Sequence, residues 1–183
     1  MAAFLSSEYV DPKNTSVSYN LGAEKCIDGI TDGPDSGNPG DDLCHTSYPP
    51  PPDPKRPWIR NYPWLAIDFG VEVYVKKVVF FNRRECCYSR IRNVTIRASN
   101  SLPGGEGEEF HLGSRIAYFF GPGEPGQQIE TTNTWRWNNT ERHGWGRYLV
   151  IQVKKAVEPL NLKEVIAFGW ENTPGVNICE KLY

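Results

Sequence analysis

A series of short apolar runs, each closed by glycine or proline, limits this chain to one class of fold. Residues 64–70 (Trp-Leu-Ala-Ile-Asp-Phe-Gly) read as a strand ending in a turn. Residues 75–81 form a second, nearly continuous apolar strand interrupted only by Lys76 and Lys77. Residues 94–98 alternate, which predicts one buried and one wet face. Residues 116–120, 148–153 and 165–169 complete the set. No stretch carries apolar residues at helical spacing over a helix's length, and no segment repeats. The 17 Gly, 15 Pro and 13% aromatic residues fit many short strands and turns. An all-β fold, a β-sandwich, is expected, with one core for 183 residues.

The predicted domain is residues 1–170, with 171–183 as a tail that carries Cys179. Residues 31–42 are a Gly/Asp/Pro-rich loop, and 47–63 form a longer proline-rich one holding Arg56, Trp58 and Arg60. A loop of that length inside a small domain is usually functional or disordered. A net charge of −2 argues against nucleic-acid binding driven by phosphate neutralisation. No run reaches the roughly 18 apolar residues of a membrane span, so membrane binding is not expected. Five cysteines leave at least one without a partner in the chain, available for a covalent dimer. Sequons at Asn14, Asn93 and Asn138 and the paired cysteines point to an extracellular or cell-surface setting.

Chemistry concentrates in residues 82–90, Asn-Arg-Arg-Glu-Cys-Cys-Tyr-Ser-Arg. Linked together, Cys86 and Cys87 would close a small ring. The ring carries strain, because neighbouring Cα atoms lie about 3.8 Å apart and a disulfide prefers about 4.4–6.8 Å. Arg83 and Arg90 flank it, with Glu85 between them. A stiff apolar plate beside two permanent charges is a binding device. Adjacent cysteines do not readily share one tetrahedral metal, and no second Cys pair exists to complete a zinc site. The chain has no nucleophile elbow, His-Glu-x-x-His or P-loop, so no enzyme activity is expected.

Several of these segments together resemble the discoidin, or coagulation factor V/VIII type C, superfamily. They are Asp28-Gly29, the 63–70 strand (Pro-Trp-Leu-Ala-Ile-Asp-Phe-Gly), Gly146-Arg147-Tyr148-Leu149-Val150-Ile151 and the closing 160–169 strand. A histidine followed by Arg83-Arg84-Glu85-Cys86-Cys87-Tyr88-Ser89-Arg90 is similar to the signature of one branch, the F-type (fucose-binding) lectins. The resemblance spans residues 10–169 and implies a non-catalytic lectin for fucosylated or related glycans. Its sugar-binding residues would be His45, Arg83, Glu85, Cys86, Cys87 and Arg90, and several copies would be needed for useful avidity. Tyr48, Trp58 and Tyr88 are aromatic candidates for a methyl-accepting surface. Glu85 stands where the family has Asp, and the excess length between His45 and Arg83 is the proline-rich stretch. Lys163 stands where the family often has Cys, so Cys44 would have to pair with Cys26 or Cys179. A non-lectin discoidin module gripping a protein or phospholipid, and an accessory glycan-binding domain of a larger enzyme, are the alternatives.

The resemblance further implies a structural Ca²⁺. Its ligands would be the side chains of Asp28 and Glu164 with backbone carbonyls near Lys25, Ile30, Leu43 and Lys163. Hard oxygens at loop positions suit that ion. Asp41 and Asp42 are additional acidic candidates.

Overall fold

The computed structural model describes residues 1–7, 21–33, 42–48, 62–104, 110–133, 143–154, 158–171 and 180–182. Its strands are β1 (Ala2–Leu5), β2 (Cys44–His45), β3 (Trp64–Phe81), β4 (Val94–Ser99), β5 (Ser114–Phe119), β6 (Gln128–Thr132), β7 (Trp145–Val153), β8 (Asn161–Leu162), β9 (Glu164–Glu171) and β10 (Glu180–Lys181). Single turns of 3-10 helix lie at Ala23–Cys26 and Tyr88–Arg90. No described helix is long and apolar enough to cross a membrane.

The two strands expected over 64–70 and 75–81 are one strand of 18 residues. Its first part pairs with β1 and β7, from Trp64–Gln152 to Asp68–Tyr148. Its second part pairs with β9 from Val73 onwards and with β6 from Lys77 to Phe81. The register against β7 shifts between Asp68 and Val73. Pairing with β7 resumes at Val73–Gly146 and Tyr74–Trp145, where pairing with β9 begins, so the chain passes from one layer to the other across Val73 and Tyr74. The turn signal at Gly70 is therefore a bend inside a strand. Asp68 Oδ1 accepts from the Gly70 backbone N–H at 2.8 Å, and its carboxylate takes a bidentate pair from Arg147 at 2.7 and 2.8 Å. That pair holds the Asp68 carboxyl below its ordinary value, the Arg147 hydrogen bond being the main cause.

Eight of the described strands form one hydrogen-bonded sheet, with β2 and β8 paired separately; bent along β3, it makes the two layers β1-β3-β7-β4-β5 and β6-β3-β9-β10 of the expected β-sandwich. Leu65, Ile67, Ile96, Leu149 and Ile151 from one layer meet Val78, Phe80, Ile129, Val165 and Ala167 from the other. The alternation in β4 does not give a wet face. Only Arg97 is partly exposed there, while Thr95 and Ser99 are buried. The reason is tertiary. Phe110 joins Trp64, Ala66 and Val150 in a second apolar cluster, and its N–H donates to Gln152 Oε1 at 2.9 Å. Thr95, opposite Gln152 in the ladder, donates to the Gln152 carbonyl at 3.4 Å.

The tail folds back, with Glu180 and Lys181 pairing with Gly169 and Phe168. Cys179, the pair Trp135 and Trp137, and most of the proline-rich stretch, Trp58 included, lie outside the described residues.

Phe80 is fully buried and meets the Phe119 ring edge-on, with centroids 5.9 Å apart. Phe80→Ala is expected to destabilise the fold by about 3–5 kcal/mol, the usual cost of emptying such a site. Chemical denaturation measures it.

Candidate functional site

The end of β3 delivers the segment that carries the chemistry. Asn82 and Arg83 follow Phe81 directly and are buried. Asn82 fixes the loop. Its Oδ1 accepts from the Arg83 N–H at 3.0 Å, and its Nδ2 donates to the carbonyls of Tyr88 and Glu124, both at 2.9 Å. Gly126 N–H closes onto the Arg83 carbonyl at 2.9 Å. Gly123 lies so close that a Cβ there would meet Asn82 Nδ2 at 2.5 Å. The turn of residues 121–126 thus clamps the site loop from the side.

His45 arrives from a separate element. β2 and β8 pair Cys44 with Leu162 and His45 with Asn161. His45 N–H donates to the Leu21 carbonyl at 3.0 Å, and Thr46 exchanges backbone and hydroxyl hydrogen bonds with Leu160. A Cys26–Cys44 disulfide, Cα atoms 5.2 Å apart, anchors this strand to the 3-10 turn. Cys26 is thus the partner that sequence left open against Cys179.

The imidazole is buried, and its pKa is lowered from 6.5 to about 4. Desolvation is the main cause, and the charges of Arg83 and Arg90 act in the same direction against the Thr46 carbonyl. His45 Nδ1 lies 2.5 Å from that carbonyl. A carbonyl only accepts, so Nδ1 carries the proton and Nε2 keeps a lone pair.

Tyr48 ties the two parts together. Arg90 donates to its hydroxyl at 2.8 Å and lies over its ring, 5.3 Å from the centroid. The Tyr48 ring is 6.5 Å from that of His45. Arg83 and Arg90 also act electrostatically on Cys86. His45, Arg83, Arg90, Cys86 and Cys87 therefore lie near one another.

The sulfur pair is close but unbonded, and Glu85 departs from expectation. The sulfurs of Cys86 and Cys87 sit 2.7 Å apart as two thiols, inside contact distance but outside the bond length of about 2.05 Å. Cys87 adopts a left-handed φ of 60°, the local cost of bringing adjacent side chains together. Partial desolvation, then the hydrogen bond with Cys87, raise the Cys86 thiol above its ordinary pKa. Glu85, expected to orient the arginines, is exposed, and no ion pair or hydrogen bond joins it to either of them among the described residues. Tyr48 orients the Arg90 side chain, while Asn82 fixes the backbone at Arg83.

A serum F-lectin (fucolectin) from striped bass, Morone saxatilis, superimposes with a TM-score of 0.69 at 22% identity, covering 96% of this chain and 49% of the other. The chain has the fold of the fucolectins. It spans about half the length of that bass protein. The lectin domain of lectinolysin, solved with Lewis B antigen, gives a TM-score of 0.60 at 22% identity, covering 92% of each chain. A Streptococcus pneumoniae fucose-binding module gives 0.59 at 18% identity, covering 92% of this chain and 90% of the other. No protein-family model and no curated protein matches the chain in sequence.

The residues expected to hold calcium do gather. Gly29 N–H donates to Glu164 Oε2 at 2.9 Å, joining the Asp28-Gly29 turn to the start of β9. As arranged, however, they do not fit the ion. Asp28 Oδ1 accepts from Ile30 N–H at 3.0 Å, and its Oδ2 faces the Lys25 ammonium at 3.7 Å. Lys25 Nζ also donates to Asp42 Oδ1 at 3.3 Å. Lys163, expected to offer only its carbonyl, is wholly buried and sends its ammonium to the Gly33 carbonyl. Leu43 is buried beside the disulfide, and Ile30 is exposed. No metal-holding group of acidic, Cys and His side chains occurs among the described residues.

Sequence reasoning gave no role to Asn82, although its amide sets the loop. It also passed over Asn161, directly opposite His45 and fully buried. Both its amide atoms lack a hydrogen-bond partner among the described residues. Cross-strand partners share a face, so this amide and the imidazole lie on the same side of the ladder. The only sequence signal was a polar residue between Leu160 and Leu162 in a closing apolar strand.

The lowered pKa of His45 couples stability to pH. Between about pH 6.5 and 4 the unfolded chain binds the proton and the native state does not. Stability present above that window is lost as pH falls through it, on the order of 3 kcal/mol in full. Urea denaturation at about pH 7 and pH 4, compared with His45→Gln, is expected to show a drop smaller by that amount in the variant.

Proposed function

We propose that this chain is a lectin module that binds a fucose-like sugar and does no chemistry on it. The observation that carries this is the convergence of two arginines, a neutral histidine and two adjacent sulfurs on one loop cluster. A pyranoside offers hydroxyls that both donate and accept, and C–H edges that want an apolar surface. The guanidinium groups supply charge-assisted donors in fixed fork geometry. His45 Nε2 supplies the complementary acceptor for a hydroxyl proton. Tyr48 restrains Arg90, so little side-chain freedom is lost on binding. With a histidine of pKa about 4 between two permanent cations, the named site residues include none tuned to move a proton near neutral pH. The disulfide between Cys26 and Cys44 supports an extracellular setting.

The sulfur pair is the apolar element. Joined as a disulfide, as an oxidising compartment favours, it becomes a rigid plate against a sugar edge. The fucolectin fold, and the fucosylated antigen bound by the lectinolysin domain, support L-fucose as the sugar.

A glycan array on the purified protein is expected to show binding confined to fucosylated glycans. Silence toward every glycan would overturn the lectin reading, and binding to other sugars alone would overturn the choice of fucose. Arg90→Ala and Arg83→Lys are each expected to weaken binding by about 10- to 100-fold, the loss of one charge-assisted bond, with the circular dichroism spectrum unchanged. Affinity should stay flat from about pH 8 to 5 and fall as His45 protonates near pH 4, since the charged ring has no acceptor. Thiol titration of secreted protein should find Cys86 and Cys87 oxidised. Two free thiols there, with full glycan affinity, would show that the plate is dispensable.

A further inference from the structure

Two lysine ammonium groups, Lys25 and Lys163, stand among the residues that the family resemblance would assign to a structural cation. Lys163 is fully buried between β8 and β9, beside Glu164, which is also buried. An unpaired ammonium in such a place is strongly disfavoured, so its position has to be matched by oxygen. Its Nζ reaches across to the Gly33 carbonyl, at the far end of the loop that begins with Asp28-Gly29. The same loop is tied at its near end by Gly29 N–H to Glu164. Lys163 and Glu164, adjacent in sequence, therefore hold both ends of one loop.

Lys25 completes the set. Its Nζ stands between the carboxylates of Asp28, at 3.7 Å, and Asp42, at 3.3 Å. Asp42 also packs on Gly33, where an added Cβ would collide with its carboxylate oxygen. The residues linked this way run from the 3-10 turn through the 28–33 loop to the segment before β2, and so to Cys44 and His45. The described charged side chains in the linked cluster are three carboxylates and two ammonium groups. Their local sum is one negative charge. A calcium ion would turn that sum positive and would have to displace Lys25 from Asp28.

We infer that Lys25 and Lys163 replace the structural divalent cation in this chain, so that the loops behind His45 are braced by internal ammonium groups and the protein is independent of calcium. An ammonium has three donors in a compact charge and suits a carbonyl or carboxylate cage, but it is covalently attached and cannot be removed by a chelator. Nothing in this inference rests on the sugar-binding proposal.

The test uses the full chain purified without added metal. Thermal melts with EGTA and with millimolar CaCl₂ are expected to coincide. Tb³⁺, a luminescent calcium probe sensitised by nearby tryptophan, is expected to show no saturable stoichiometric binding. A Tm that falls with EGTA and recovers with calcium, or a one-to-one Tb³⁺ isotherm displaced by calcium, would overturn the inference. Lys163→Met keeps the stem and removes the charge. It is expected to lower Tm or to unfold the chain, whereas an unchanged Tm would count against the ammonium's role. If the variant does not fold, the wild-type melts and Tb³⁺ titration still decide. In the double variant Lys25→Ser/Lys163→Met, a Tm raised by CaCl₂ would support the exchange of ammonium for metal directly.

Discussion

The passage of β3 from one layer into the other is the constraint on which the remaining structure depends. Its register against β7 shifts between Asp68 and Val73, and at Val73 and Tyr74 it pairs with β7 and β9 at once before β9 takes over. The bidentate pair of Asp68 with Arg147 sits at the shift, fixing β3 to β7 where the ladder is interrupted. Beyond it, Val78 and Phe80 fill the core from the second layer, and Phe81 pairs with both Gln128 and Glu164. A strand flanked on both sides to its last residue has a fixed end. Asn82 and Arg83 are placed by that end, and the loop amide network builds outward from them. The precision of the site comes from the sheet, and the loop only completes it.

The electrostatics of the site follow first from the burial of His45, which desolvates its ring. Arg83 and Arg90, whose charges are permanent, push in the same direction. His45 responds by staying neutral down to about pH 4. The Thr46 carbonyl selects the tautomer, and the ladder with β8 holds the ring in place. A cluster that looks like three cations in sequence is two cations and a neutral acceptor in the fold. That division suits a ligand whose hydroxyls donate and accept at once.

Much of this was legible in the residues, for reasons that can be named. Apolar runs closed by Gly and Pro gave the strand positions, and the Cys86-Cys87 pair with its flanking arginines marked the site loop. The convergence of His45 on that loop was available only through family resemblance, because 37 residues of sequence separate it from Arg83 and no local pattern spans that gap. Gly70 misled because a bulge and a turn use the same residue chemistry. β4 misled because alternation reports a strand's own pattern and not whether Phe110 covers its outer face. Glu85 misled because its charge suggested a partner, whereas it is exposed and the uncharged amide of Asn82, three residues earlier, carries the loop's hydrogen bonds.

The cysteine framework and the lysine brace meet at the same loop, between the 3-10 turn and β2. In the pattern this chain resembles, the position of Lys163 often holds a cysteine that would pair with Cys44. Lysine there removes that partner, and Cys26 takes its place across the 3-10 turn, with its sulfur also facing the Leu162 carbonyl at 3.5 Å. The cross-link therefore moves from the closing strand to the loop that precedes the acidic turn. The side chain that vacated the disulfide is long enough to reach the Gly33 carbonyl, at the other end of the same loop. Covalent and ionic restraints thus change together: the loop gains a bond at its root through Cys26 and a buried charge at its tip through Lys163. Either change alone would leave a defect, an unpaired Cys44 or an unanchored loop. Together they tie the loop behind the strand bearing His45 at its root and at its tip.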